Sequence, residues 1–271
     1  MIKFNGIEIE QGHFPDNTLM MKIEQGVYDS LDDNQITLIE WFYENDAELF
    51  TLICLRKHFE NMDMVLYMPY CPHARMDRVK NSEDVFTLKY FTEVLNSLNF
   101  KLVFCDDVHS NVAAALIHNY HPIDPAHNNA KTIYEFLTDL SDESVIVCFP
   151  DEGAMKRYSE SLGVPYAFGI KKRDWETGKI KGLELMNKEL VAGKHVLIVD
   201  DICSRGGTFY YTAKALKEAG AKNVYLYVTH CEATMLKGDL PNSGLVEHVF
   251  TTKSIFPRDI ETEFVSFVEN I

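Results

Sequence analysis

The sequence predicts an α/β protein of two tandem domains, each a mainly parallel sheet flanked by helices. Three observations carry this expectation. Short apolar runs alternate with longer stretches of helical spacing along the whole chain, as repeated βαβ units require. The length of 271 residues suits two modest domains, each able to bury a core. The two halves also repeat one faint pattern of strand, proline, basic turn, then strand and two aspartates.

In chain order, strands are expected at Ile36–Phe42, Met64–Met68, Leu102–Cys105, Val145–Phe149, Tyr166–Ile170, His195–Val199 and Val224–Thr229. Helical spacing occupies Ala47–Phe59, Val85–Leu98, Lys131–Leu140 and Thr208–Ala219, the last stopped by Gly220. In the first half, Met64–Met68 meets Pro69 with Ala74 and Arg75 beyond, and Leu102–Cys105 meets Asp106 and Asp107. In the second, Val145–Phe149 meets Pro150 with Ala154 and Arg157 beyond, and Val196–Val199 meets Asp200 and Asp201. The segment His121–Asn129 carries two prolines and several polar residues. It reads as the boundary, giving domains 1–125 and 126–271.

Composition narrows the function. Hydrophobic residues make up 46% and charged residues 25%, as in an ordinary globular protein. A net charge of -15 argues against a nucleic-acid binder, since no broad positive field gathers phosphates. An acidic chain that handles phosphate must do so locally, with backbone amides, a few Lys or Arg, and metal. The six cysteines show no CxxC pair or zinc-type spacing, and Cys148 within Val-Ile-Val-Cys-Phe reads as a buried free thiol. No signal peptide opens the chain and no apolar stretch approaches the ~20 residues of a membrane span. A cytoplasmic protein without membrane or nucleic-acid partners is expected.

The sharpest feature is the run from His195 through Val199, Asp200, Asp201, Ile202, Cys203, Ser204, Arg205, Gly206 and Gly207 to Thr208. A buried strand delivers two carboxylates, and a turn of small residues then opens a helix. Ligands of parallel sheets gather beyond the carboxyl ends of strands. Gly206 and Gly207 let the backbone approach an anion at a helix N-terminus. Asp200 and Asp201, as acceptors only when ionised, suit vicinal ribose hydroxyls.

This run resembles the ribose-binding signature of type I phosphoribosyltransferases and of ribose-phosphate diphosphokinases, the PRPP synthetases. The remainder of the chain favours the diphosphokinases. Pro69-Tyr70, then Ala74-Arg75-Met76-Asp77-Arg78, resembles that family's ATP segment. Asp107-Val108-His109 resembles its magnesium element, and Pro150-Asp151-Glu152-Gly153 its Pro-Asp-x-Gly segment. Lys171-Lys172-Arg173 falls where the family has Lys-Arg-Arg, Thr229-His230 matches its post-strand pair, and Phe14-Pro15-Asp16 opens its Phe-Pro-Asp loop. The resemblance spans nearly the whole chain, in order.

It implies two tandem phosphoribosyltransferase-like domains holding ATP and a ribose acceptor between them. Mg2+ is the implied metal, held near His109 and Asp151, and ATP the co-substrate, lying against Arg75, Asp77 and Arg78. Phe14 and Asp16 would clamp adenine from a neighbouring subunit of a homo-oligomer. The acceptor would sit on Asp200, Asp201 and the loop Ser204, Arg205, Gly206, Gly207 and Thr208. Lys171 and Arg173, on a mobile loop with 174–194 as lid, would neutralise the transferring diphosphate. The implied reaction moves diphosphate from ATP to the anomeric hydroxyl of ribose 5-phosphate, giving PRPP and AMP.

Several positions depart from that pattern. Phe-Pro-Asp arrives by residue 16, without the family's first helix. Asn17 and Thr18 stand for Gly and Glu, and Met76 for Gln. Ser204 and Arg205 replace Asp and Thr beside the 5′-phosphate, which favours a more anionic 5′ substituent such as the diphosphate of ADP-ribose. That acceptor would give ADP-ribose pyrophosphate for NAD salvage. Two further classes stay open. A PRPP-consuming phosphoribosyltransferase would leave the first-half motifs without a task. A non-catalytic regulatory relative would not turn over ATP.

Overall fold

The computed structural model of the chain describes residues 1–32, 35–141, 144–173 and 180–270, with backbone alone at 141, 171–173, 180–182 and 270. Two compact units emerge, Met1–Ile123 and Asp124–Ile271.

The first unit opens with four short strands, β1 (Ile2–Phe4), β2 (Ile7–Glu8), β3 (Gln11–His13) and β4 (Leu19–Met21), then helix α1 (Gln25–Asp29). There follow β5 (Thr37–Trp41), α2 (Ala47–His58), β6 (Met64–Met68), α3 (Thr87–Ser97), β7 (Leu102–Asp106), α4 (Asn111–Leu116) and β8 (Tyr120–Ile123). Its six-stranded sheet has the order β2-β1-β5-β6-β7-β8, parallel from β5 to β8 and antiparallel where β1 joins. β3 and β4 form a separate hairpin.

Ile39, Trp41, Leu66 and Met68 face Leu52 and Leu55 of α2 and Leu88 and Phe91 of α3 in one apolar core. The Glu48 carboxylate is buried in this layer. Glu48 accepts from the indole Nε1 of Trp41 at 3.0 Å and from the Glu44 amide at 2.8 Å, and it pairs with the α-amino group of Met1. Burying that charge is tolerable only because its oxygens are occupied by donors.

The second unit runs α5 (Pro125–Ser141), β9 (Val145–Phe149), α6 (Glu152–Leu162), β10 (Tyr166–Arg173), β11 (Ile180–Met186), β12 (His195–Cys203), α7 (Gly207–Glu218), β13 (Val224–Cys231), β14 (His248–Thr251) and β15 (Val265–Phe267). Its seven strands lie in the order β11-β10-β9-β12-β13-β14-β15, parallel except for the β10–β11 hairpin. Alternate residues of the central strands feed two cores, one on each face. Val145, Val147, Phe149, Leu197 and Val199 enter one, and Ile146, Cys148, Val196 and Ile198 the other.

Several expectations give way here. Residues 121–129, the expected boundary, are the end of β8 and the start of α5. Pro122 sits on an edge strand, where a missing donor is tolerated, and Pro125 is the first residue of its helix, where it is favoured. The basic turn after Pro150 is instead α6, because Asp151 caps the helix N-terminus and Gly163, at φ 62°, stops it. Lys171 and Arg173 stand on a strand rather than a loop, since β10 continues to Arg173 against β11. Of the expected lid, 174–179 lie outside the described residues, while Ile180–Met186 is the partner strand.

Candidate functional site

In the second unit the candidate site is built at the carboxyl end of β12. The strand does not end at the aspartates. It continues because Ile202 and Cys203 keep pairing with His230 and Cys231 of β13. Asp201 is buried and receives the Nη1 donor of Arg157, from α6, at 3.2 Å. The Asp201 amide donates to Asp200 Oδ1 at 3.0 Å. Burial, then the negative charge of Asp201, holds the Asp200 carboxyl well above the usual carboxylate range, and Asp151 adds to the effect.

Beyond Cys203 come Ser204, the exposed Arg205 and Gly206, which adopts φ 78° as the cap of α7. A side chain at Gly206 would be strained by that φ and would also press on Leu240. Gly207 and Thr208 are the first residues of α7, so their amides stand at the positive end of a helix dipole.

A second segment, 232–240, lies against this loop, and the sequence motifs did not flag it. The Glu232 amide donates to Cys203 O at 2.8 Å. The hydroxyls of Ser204 and Thr234 both donate to Glu232 Oε2, at 2.7 and 2.9 Å. A Cβ on Gly238 would stand 2.2 Å from the Arg205 carbonyl oxygen, so only glycine admits the observed approach. Thr229 and His230 lie within β13, fully inside the fold. The Thr229 carbonyl accepts from Thr252 at 2.7 Å and Ser254 at 3.2 Å, and His230 Nδ1 lies 2.8 Å from Ser254 Oγ.

Asp151 Oδ1 accepts from the amides of Gly153 and Ala154 at 2.9 and 3.1 Å. That is the geometry of a helix cap, and it fixes the carboxylate beside Asp200. Lys171 and Arg173 are placed by backbone register opposite Leu183 and Ile180, with a bulge between Lys172 and Arg173. Their side chains lie outside the described residues.

In the first unit, the ATP-type and magnesium-type segments meet. Asp77 accepts from Ser110 Oγ at 2.8 Å and pairs with Arg78 Nε at 3.2 Å. Ser110 also caps α4 by accepting from the Val112 amide at 3.1 Å. Arg75 and His109 are exposed on the same two loops. Asp106, at the end of β7, accepts from the Tyr67 hydroxyl at 2.8 Å, and burial pushes that phenol far up. Asp107 takes φ 39° and donates its amide to Ile123 O at 2.9 Å.

Tyr43, Asp46 and His73 form a group that no motif predicted. Asp46 Oδ1 accepts from the Tyr43 hydroxyl at 2.9 Å and lies 3.1 Å from His73 Nε2. Burial and Asp46 together raise the Tyr43 phenol to about 12.

Phe14 and Asp16 stand at the turn of the β3–β4 hairpin, with the Phe14 ring about half exposed. Asp16 Oδ1 accepts from the Thr18 amide and hydroxyl at 3.0 and 2.7 Å, which holds its carboxyl below the usual range. Asn17 takes φ 65°, so the glycine of the resembled pattern is replaced by the residue that best tolerates that conformation.

Among the described residues, no group of three or more His, Cys, Asp or Glu side chains is arranged to hold a metal ion by itself. A single carboxylate such as Asp151 still suits a hard cation, because Mg2+ is held by one or two carboxylates plus substrate phosphates and water. No helix among the described residues is long and apolar enough to cross a membrane.

A family model described as a phosphoribosyl transferase domain matches residues 119–266, more than half of the chain. Ribose-phosphate pyrophosphokinase of Mycoplasma pneumoniae is 30% identical over 227 residues, covering 78% of this chain and 66% of that protein. The chain belongs to the ribose-phosphate pyrophosphokinase family. The enzyme of that name from Sulfurisphaera tokodaii is 26% identical over 264 residues, with 93% and 86% covered. That from Bacillus caldolyticus is 29% identical over 267 residues, with 94% and 81% covered. A crystal structure of phosphoribosylpyrophosphate synthetase from Mycobacterium smegmatis shares the fold at TM-score 0.73, covering 96% of this chain and 85% of that one at 18% identity. As a member of the pyrophosphokinase family the chain is an enzyme of the diphosphotransferase type, with the α/β fold of phosphoribosyl transferases.

Proposed function

We propose that the chain transfers the β,γ-diphosphate of ATP to the anomeric hydroxyl of ribose 5-phosphate, giving PRPP and AMP. The observation that carries this reading is the strand bearing Asp200 and Asp201, which runs straight into the Ser204–Thr208 loop at the N-terminus of α7. Two acceptor carboxylates stand next to a row of amide donors, complementary to ribose hydroxyls on one side and a phosphate on the other.

In this reading the anomeric oxygen bonds to the β-phosphorus of ATP and the bond from that phosphorus to the α-phosphate oxygen breaks. AMP leaves, and the hydroxyl proton passes to solvent. Such transfers depend on positioning and on neutralising charge that spreads over the phosphoryl oxygens. Asp200 and Asp201 orient the ribose, Arg157 holds Asp201 in place, and the 205–208 amides bind the 5′-phosphate. Lys171 and Arg173 supply positive charge to the transferring group. Arg75, Asp77 and Arg78 bind ATP, and Phe14 and Asp16 serve adenine from another subunit of a homo-oligomer. His109 is the candidate metal ligand of the first unit and Asp151 that of the second, and Mg2+ entering with ATP would supply charge neutralisation at the phosphates.

One observation favours a second acceptor class. The hydroxyl proton of Ser204 is committed to Glu232, while Arg205 is exposed and has no ion-pair partner among the described residues. A cradle with one fewer hydroxyl donor and a guanidinium at its rim suits a longer 5′ substituent, as in ADP-ribose. Its product would be ADP-ribose pyrophosphate, a precursor for NAD salvage.

The test offers ATP and Mg2+ with either ribose 5-phosphate or ADP-ribose, following AMP and the mass of the sugar product together. AMP with ribose 5-phosphate alone supports the first reading, and AMP mainly with ADP-ribose the second. Absence of AMP with both refutes diphosphate transfer to these acceptors. Under the second reading, Arg205→Thr shifts the preference back towards ribose 5-phosphate.

A further inference from the structure

We propose that Glu232 is a positioning residue that sets the phosphate loop from behind, acting through Ser204. The inference rests on the reading of residues 204–208 as an anion cradle.

An anion-binding loop whose donors are backbone amides works only if those amides are held in one direction before the ligand arrives. A short glycine-bearing loop is poorly held by its own residues, because glycine restricts the backbone least. Here the restraint comes from across the sheet. The Glu232 amide ties to Cys203 O at 2.8 Å, extending the β12–β13 pairing to the last residue before the loop. The carboxylate then receives Ser204 Oγ at 2.7 Å, one residue further on. Thr234 Oγ1 donates to the same oxygen at 2.9 Å, which fixes the carboxylate in turn. The short helical turn Ala233–Lys237 brings Gly238 against the Arg205 carbonyl and Leu240 against Gly206. Residues 203 to 206 are thus each held by a residue between 231 and 240, and Glu232 brings a carboxylate to that contact.

A bare carboxylate beside a phosphate site would repel the ligand. The two hydroxyl donors explain how Glu232 is accommodated: they spread its charge and turn it into a clasp. The chemistry required of position 232 is therefore an oxygen that accepts two hydroxyl protons, rather than a negative charge. That distinction makes the role testable, because glutamine keeps the acceptor and removes the charge.

The experiment uses the full chain and the variants Glu232→Ala, Glu232→Gln and Ser204→Ala. Amide hydrogen exchange at 204–208 is measured on each protein without substrate. Binding of inorganic phosphate is measured by calorimetry, and kcat and KM for the acceptor and for ATP are measured with Mg2+. Glu232→Ala is expected to speed exchange of the loop amides at least tenfold without affecting Val196–Val199. It should weaken phosphate binding and raise the acceptor KM about tenfold, leaving kcat and the ATP KM within twofold. Ser204→Ala should follow it, and Glu232→Gln should stay within threefold of the parent. Unchanged loop exchange in Glu232→Ala overturns the proposal, as does a Gln variant as damaged as Ala, or an equal loss in both KM values. If the parent chain turns over no acceptor, the diphosphotransfer reading fails separately, and exchange and phosphate binding still decide the role of Glu232.

Discussion

Arg157 and Asp201 join α6 to the functional end of β12 through a 3.2 Å contact in which the carboxylate is buried and the guanidinium partly exposed. Replacing Arg157 with Met keeps much of the apolar stem but leaves Asp201 without this donor. A loss of about 1–3 kcal/mol is expected, because a buried acceptor then loses a charged donor. Urea unfolding midpoints measure it. A change within about 0.5 kcal/mol, the range of neutral surface substitutions, would remove Arg157 from the account.

Asp200 yields a pH-dependent prediction. Burial, then the charge of Asp201, raises its carboxyl, so the folded chain binds this proton more tightly than the unfolded chain. Stability associated with this group is complete below the unfolded value of about 4 and falls as pH rises towards the folded value. Asp200→Asn should therefore match the parent at acid pH and be more stable at neutral pH, while losing acceptor binding. A Tm difference independent of pH would contradict the assignment.

Gly238 has φ -88° and ψ -176°, a conformation open to alanine, so any effect of Gly238→Ala must come from contact. A methyl group there meets the Arg205 carbonyl at 2.2 Å, and the loop has to move. Destabilisation of about 1–3 kcal/mol is expected from such overpacking, together with a raised acceptor KM. Full retention of both would show that the loop yields freely.

Glu48 tests the core of the first unit. Glu48→Ala strips the indole of Trp41 and the Glu44 amide of their acceptor. The expected cost is about 3 kcal/mol, read from chemical denaturation. Since Glu48 lies outside the candidate site, kcat of the folded fraction should not change.

Lys171 and Arg173 carry the catalytic part of the proposed function. Alanine at either should lower kcat by about 10²-fold through lost transition-state charge stabilisation, with folding intact. Equal kcat in the variants and the parent would transfer that role to other residues.

The parallel strands were legible because burial on both faces writes them as uninterrupted apolar runs. Met64–Met68 and Val145–Phe149 match their expected ends, and β5 differs by one residue at each end. The carboxylates hid the rest of β12, since Asp is poor in strands and only the partner β13 holds it there. α6 was missed although its signals were present: Asp151 as a cap and Gly163 as a stop. The four strands before α1 are two or three residues long, too short for any periodicity. In the site, Asp200, Asp201 and the glycine turn announced themselves by adjacency. Glu232 and Gly238 did not, because they reach the loop from the end of β13 and the turn after it and have no local motif.

The contact between the 203–206 loop and its brace has a consequence for heredity and for engineering. Two short stretches separated by an entire helix and strand share one fitness constraint, so neither can drift alone. Transplanting the loop into a related scaffold should succeed only when residues 231–240 travel with it. Under the proposed function, specificity is encoded as a paired cassette, and substitutions that change the acceptor are expected in both halves.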